Sequence, residues 1–229
     1  AYLVSLALMI ALIVDALSDP LIGYLSDNTR SRWGRRHPFM YAAALPAAIA
    51  YYFVWNPPSG LEGDALFPYI VTIAVVVRTL VTVYEIPSSS LVAEMSDDYD
   101  ERTSMLSYRY FFGWTGGTLM GAFATIFILV PTTTISNGMF NVQGHGQVGA
   151  VAAMVIFVAM IVSTMGTHKM IPDLKAPPPP RRMTVGLIYR EVFETLASRS
   201  FLALFLAALF GAVAAGVSTT LSFYFSTFF

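Results

Sequence analysis

Apolar positions in this chain come in long blocks, and polar ones are confined to the gaps between them. Six blocks, at roughly 1–26, 38–56, 66–92, 104–130, 148–170 and 200–229, each hold about 20 or more mostly apolar residues. That length suits a helix crossing a hydrocarbon core of about 30 Å. The gaps carry turn and charge signals: Asn56-Pro57-Pro58-Ser59-Gly60, the acidic run Asp97 to Glu101, and the glycine-containing stretch from Asn141 to Gly146. No block alternates with a period of two, so the pattern predicts helices and disfavours a β-barrel. The expected fold class is an all-α integral membrane protein, a helical bundle with about six transmembrane helices.

Composition strengthens this picture. Hydrophobic residues make up 56% and charged ones only 12%, against about 25% charged in soluble domains. A soluble enzyme and a disordered region are both excluded. The net charge of −1 provides no basic field, so no nucleic-acid partner is expected. The bilayer is the expected environment. The chain has no cysteine, which removes thiolate chemistry. His37, His145 and His168 stand far apart in sequence, so no metal site is expected from them.

Charge placement gives an orientation. Of 13 Lys and Arg, Arg78 and Arg109 fall inside blocks. The other eleven are Arg30, Arg32, Arg35, Arg36, Arg102, Lys169, Lys175, Arg181, Arg182, Arg190 and Arg199. All eleven fall in, or within two residues of, the first, third and fifth connections, and the positive-inside rule makes those connections cytoplasmic. They correspond to loops 27–37, 93–103 and 171–199 of a multi-pass protein in a cytoplasmic (inner or plasma) membrane. The chain opens and closes inside apolar blocks, so it reads as a fragment, with the remainder of the same chain as its missing partner.

Three parts are expected. Residues 1–170 form an N-terminal transmembrane half that lacks its first helix. Residues 171–199 form a cytoplasmic linker, and residues 200–229 the first helix of a C-terminal half. The linker contains the run Pro177 to Pro180, which predicts a stiff extended segment. Val185, Ile188, Tyr189, Val192, Phe193 and Leu196 follow at spacings of three and four, which predicts an amphipathic helix on the inner membrane surface.

Five ionisable residues lie where hydrocarbon is expected: Asp15, Asp19, Arg78, Glu85 and Arg109. Each costs about 2.5–3.5 kcal/mol or more at a bilayer centre unless it has a purpose or a partner. Asp15 and Asp19 share one helix face, with Ser18 beside them. A sodium ion, a proton or a neighbouring basic side chain would relieve their repulsion. Thr82 and Glu85 share a face of the third block, and Thr82 can add a hydroxyl to a cation cage. Glu85 suits either a hydroxylated substrate or a pair with Arg78 or Arg109. Arg78 reads best as charge balance for the acids. Arg109 offers forked donors to a solute, or snorkels to the headgroups. Gly113, Gly117 and Gly121 recur every four residues and suit close helix packing.

The segment from Asp15 to Pro38 contains Asp15, Ser18, Asp19-Pro20, Gly23, Asp27, Arg30, Arg32, Gly34-Arg35-Arg36 and Pro38. It closely resembles the signature of the glycoside–pentoside–hexuronide:cation symporters, a branch of the major facilitator superfamily. Tyr84-Glu85-Ile86-Pro87 and Tyr108-Arg109-Tyr110-Phe111 resemble that family's fourth and fifth helices. The resemblance implies a partial bundle covering about helices 2 to 7 of twelve. It implies a secondary active transporter that moves a sugar or glycoside with Na+ or H+ by alternating access. Cation binding is implied for Asp15, Ser18, Asp19 and Thr82, and substrate binding for Glu85 and Arg109. A conformational latch is implied for Gly23, Asp27, Arg32, Gly34, Arg35 and Arg36. Beyond the coupling cation, which as Na+ would sit at Asp15 and Asp19, no cofactor or metal is implied.

Sodium-coupled lysophospholipid carriers share the Asp15…Asp19-Pro20 pattern, so a lysolipid is the alternative solute. A non-transporting sensor is a further reading. An intramembrane metal-dependent transferase is another, built on Asp15…Asp19 and Asp97-Asp98-Tyr99-Asp100. The depth difference between those acidic groups disfavours it, because Asp15 lies about three helical turns from Asp27.

Overall fold

The computed structural model describes residues 2–61, 63–132, 137–174 and 184–228. The proline run 177–180 with Lys175, Arg181 and Arg182 lies outside the described residues, as do the Val192 and Leu196 side chains. Among the described residues the α-helices are α1 (Tyr2–Asn28), α2 (His37–Trp55), α3 (Leu66–Met95), α4 (Tyr99–Phe123), α5 (Val142–His168), α6 (Val185–Leu196) and α7 (Arg199–Phe228). All but α6 contribute to six helical stretches long and apolar enough to cross a membrane. This is a multi-pass membrane protein with no strand among its described residues.

The chain divides into two compact units, Ala1–Arg181 and Arg182–Phe229. In the first, α2 lies between α5 and α3, and α1 packs along α3. Small residues make this possible. Ala43, Ala44, Ala47 and Ala48 of α2 are buried, as are Ala7 and Ala11 of α1. Short side chains let helices approach closely where lipid supplies no hydrophobic drive. Ala44, Ala47 and Met160 centre a core flanked by Leu80, Tyr84, Ile156, Phe157 and Ile161. In the second unit, α6 and α7 are separated by a two-residue turn.

Helix starts differ from the block edges by several residues, and caps explain why. Asp98 accepts a hydrogen bond from the Glu101 amide at 2.9 Å, so α4 begins at Tyr99 rather than near 104. Asn141 accepts from the Gly144 amide at 3.1 Å, so α5 begins at Val142 within a stretch that reads as loop. A Cβ at Gly149 would lie 2.3 Å from the Trp55 Cβ. The glycine is therefore a point of close approach between α5 and the end of α2. Pro20, Pro46 and Pro87 all sit inside continuous helices. α4 runs directly into a π-helical turn, Ala124–Ile128, closed by the Leu129 amide on the Ala124 carbonyl at 2.7 Å.

Candidate functional site

Two groups of charged side chains organise the first unit, one at mid-helix and one at the end that carries the arginine-rich loop.

At mid-helix, α1 presents Asp15 toward α3. Arg78 donates to Asp15 Oδ2 from Nη2 at 2.7 Å and from Nε at 3.0 Å. Thr82, one turn further along α3 and buried, donates to Oδ1 at 2.7 Å. Both oxygens of Asp15 therefore have donors. Asp19 differs: its Oδ1 is buried and has no hydrogen-bond partner. Asp15, Arg78 and Glu85 bear on the Asp19 carboxylate electrostatically, and the Thr82 hydroxyl lies within reach of it. The Ser18 hydroxyl donates to the Asp15 backbone carbonyl at 3.0 Å, which leaves its lone pairs free. Of the four residues expected around a cation, Asp15, Asp19 and Thr82 thus come together across α1 and α3, and Ser18 lies beside Asp19 on α1, bonded to the backbone of its own helix. The guanidinium of Arg78 holds the position expected of a charge-balancing group. A buried carboxylate oxygen lacking a donor is costly, and a hard cation or a proton is the chemistry that satisfies it.

Further along α3, Glu85 approaches Arg109 of α4 at 3.6 Å. The Glu85 side chain is 60% exposed and that of Arg109 is 32% exposed. Of the alternatives open for Glu85, the pair with Arg109 is the one formed. It is loose and accessible, so both side chains retain hydrogen-bonding capacity toward a solute.

At the loop end, Arg35 and Arg36 converge on Glu94, near the end of α3. Arg36 Nε donates to Glu94 Oε1 at 2.7 Å, and Arg35 Nη2 reaches the same oxygen. Arg36 also pairs with Asp27 at 3.0 Å. The side chains of Arg35, Arg36 and Glu94 are all largely buried. Gly34 adopts φ +74°, a left-handed conformation that L side chains avoid, and this turns the loop so that Arg35 and Arg36 point back at α3. Gly23 lies on the α1–α3 contact, where an added Cβ would sit 3.7 Å from Ile86. Arg32 is exposed and has no ion-pair partner among the described residues.

Glu94 was not anticipated from sequence. Its available signal was an acidic residue ending an apolar block opposite a Gly-Arg-Arg loop. A second unanticipated group lies beside it. His37 is fully buried and its Nε2 is 3.1 Å from the Thr167 hydroxyl. Its ring meets that of His168 edge-on at 5.7 Å. The Tyr41 hydroxyl is 3.2 Å from His168 Nδ1. Two histidines 131 positions apart in sequence are therefore neighbours, whereas His145 stacks on Trp55. Asp98 serves as the α4 cap. Among the described residues no group of three or more His, Asp or Glu is placed to hold a metal.

The family model described as MFS/sugar transport protein matches residues 1–229. The chain belongs to the MFS/sugar transport protein family. Its likeness to glycoside–pentoside–hexuronide:cation symporters extends to its relatives. An uncharacterized symporter, sll1374, of Synechocystis sp. is 33% identical over 170 residues, 72% of this chain and 30% of that protein. The isoprimeverose transporter of Lactiplantibacillus pentosus is 28% identical over 184 residues, 78% of this chain and 37% of the transporter. The sodium-dependent lysophosphatidylcholine symporter 1 of Mus musculus is 33% identical over 109 residues, 46% of this chain and 20% of that protein. The chain thus spans about a third of the length of the first two relatives. Members of this fold family are helical bundles, and these relatives are transporters.

Proposed function

We propose that this chain belongs to a secondary active transporter that couples a Na+ or H+ gradient to symport of a sugar or glycoside by alternating access. The observation that carries the reading is Asp19. Its buried, donor-less carboxylate oxygen sits on the membrane-spanning α1, beside Asp15 and Thr82. In-membrane acids of this kind mark ion pathways. The coupling cation binds at Asp15, Ser18, Asp19 and Thr82. Its charge offsets the two carboxylates and stabilises the state that accepts solute at Glu85 and Arg109. Linkage makes the coupling reciprocal, so solute raises cation affinity by the same factor.

Asp27, Arg35, Arg36 and Glu94 form the latch, with Gly34 setting the turn. Opening it exchanges buried ion pairs for water as the bundle rocks. The arginine-rich loop, residues 93–103 and residues 171–199 face the cytoplasm by the positive-inside rule, in an inner or plasma membrane. Residues 171–199 link the two halves of the bundle.

A lysophospholipid is the second solute reading, favoured by the likeness to the mouse lysophosphatidylcholine symporter. The test uses the full-length parent protein in liposomes. Uptake of radiolabelled isoprimeverose, of other glycosides and of lysophosphatidylcholine is measured with inward Na+ and, separately, H+ gradients. Gradient-driven glycoside uptake that disappears in Asp19→Asn supports the proposal. Lysophosphatidylcholine uptake alone replaces the solute. Glycoside uptake indifferent to both gradients, or undiminished in Asp19→Asn at equal surface expression, overturns the coupling.

A further inference from the structure

His37 and His168 take no part in the mid-helix site or the latch, yet they meet where the start of α2 lies against the end of α5. Hydrogen bonding fixes where each ring carries its proton. The Thr167 hydroxyl donates to the backbone carbonyls of Ser163 and Thr164, 3.2 Å from each. Its lone pairs therefore face His37 Nε2 at 3.1 Å, so Nε2 is the protonated nitrogen. His37 Nδ1 is then the bare one, and it is buried without a hydrogen-bond partner. At His168 the Tyr41 phenol, a hydroxyl donor, lies 3.2 Å from Nδ1, which leaves that ring's proton on Nε2. Both neutral rings thus keep Nδ1 as the atom that takes a further proton.

The surroundings are not arranged to receive that charge. His37 is fully buried, and among the described residues no carboxylate bonds to either ring. The titratable group that bears on His37 electrostatically is His168 itself. Of the other helices at this end, α1 supplies Asp27 and α3 supplies Glu94. Both acids are held by Arg36, and Arg35 shares Glu94. α2 adds the Tyr41 phenol, and Lys169, just beyond α5, adds a further cation. Trp33 covers the group, edge-on to Tyr41 at 5.7 Å and to His168 at 6.4 Å.

We propose that the His37–His168 contact is a pH sensor, which parts the start of α2 from the end of α5 when the medium at the arginine-rich loop turns acid. The inference rests on the orientation and the latch proposed above, under which that medium is the cytoplasm, and adds their control. A proton on each Nδ1 sets like charges on two rings whose centroids are 5.7 Å apart. It leaves a buried donor at His37 without an acceptor, and it turns the Tyr41 hydroxyl away from its bond to His168. Water admitted between the helices relieves all three costs, since neither ring has an acid to pair with. Histidine is the side chain that changes charge within the physiological range. His37 follows Arg36 directly, so a shift in the first turn of α2 draws that guanidinium from Glu94 and loosens the latch.

The test uses the full-length parent in liposomes, on a cysteine-free background, with spin labels on Ala42→Cys of α2 and Lys169→Cys after α5. Both positions are exposed. Pulsed electron paramagnetic resonance reads the distance between the labels at about pH 8 and about pH 5, the two ends of the histidine range. Acidification lengthens that distance by about 2 Å or more. His37→Gln, whose amide can still donate to Thr167, and His168→Gln, at the half-buried ring, each remove most of the lengthening. Should His37→Gln fail to fold, His168→Gln decides alone. A distance unchanged by acid in the labelled parent overturns the inference. So does lengthening that persists at full size in the His→Gln variants, which assigns it to another group such as Asp19. The readout needs neither solute nor ion gradient, so failure of the transport reading shows in the uptake assay and not here.

Discussion

The two charged regions of the first unit are built differently. At the loop end, a single oxygen of Glu94 gathers Arg35 and Arg36, and all three side chains are largely buried. At mid-helix, Arg109 and Glu85 meet at 3.6 Å, with more than half of the Glu85 side chain exposed. Asp15 lies between these extremes: its own side chain is largely buried, while that of its partner Arg78 is 43% exposed. A buried pair is expensive to break from one side, because the remaining charge is stranded away from water. A pair that its neighbours in the first unit leave open keeps hydrogen-bonding capacity for something else. The loop end is therefore the tighter cluster, which suits a latch that holds one state until its buried pairs open together, and the Glu85–Arg109 pair is the looser one.

This contrast can be broken most directly at Glu94. Glu94→Gln should destabilise the full-length protein by about 3–5 kcal/mol, because two buried guanidinia lose their shared anion. Thermal unfolding in detergent checks this, and a melting temperature equal to that of the unaltered protein would refute the structural role. Gly34→Ala should cost about 1–2 kcal/mol by the same assay, since alanine must adopt the left-handed φ of +74°. It must also accommodate Ile171, 3.4 Å from the new Cβ.

Mid-helix substitutions should separate stability from binding. Thr82→Val removes the donor to Asp15 Oδ1 and leaves that oxygen unsatisfied, at a cost of about 1 kcal/mol. Cation-stimulated uptake should weaken more than the melting temperature suggests. Glu85→Gln should lower the melting temperature less than Glu94→Gln, because its pair with Arg109 is longer and less covered, while raising the solute KM in the transport assay. A melting shift as large as that of Glu94→Gln would show that the two regions are not distinct after all.

The six spans and the mid-helix acids were legible in sequence because both depend on local facts. Apolar block length sets the spans, and a carboxylate in hydrocarbon needs a reason. Helix starts were less legible. The glycines before residue 148 read as loop, yet Asn141 caps a helix there and Gly149 gives Trp55 room to approach. Charge balance for Asp15 pointed to Arg78, since few basic residues lie at that depth. Glu94 gave no comparable signal. It resembles any acid at a helix end until the fold brings up two arginines from 58 and 59 positions earlier. The His37–His168 contact was invisible for the same reason, because it exists only once α2 and α5 lie side by side.

Arg78 carries a consequence of its own. Its guanidinium is a cation that never leaves and never loses its proton. Attached to the same chain as Asp15, it acts at a fixed local concentration, on the order of millimolar or above for a short tether. A mobile ion seeking Asp15 must outcompete this resident. On the coupling proposed above, an ion at Asp19 would feel the same guanidinium but meet no hydrogen-bonded donor at Oδ1. The two aspartates, four residues apart on one helix, thus differ: both oxygens of Asp15 hold resident donors, and Asp19 keeps one carboxylate oxygen without a donor, the contrast on which the proposed coupling turns.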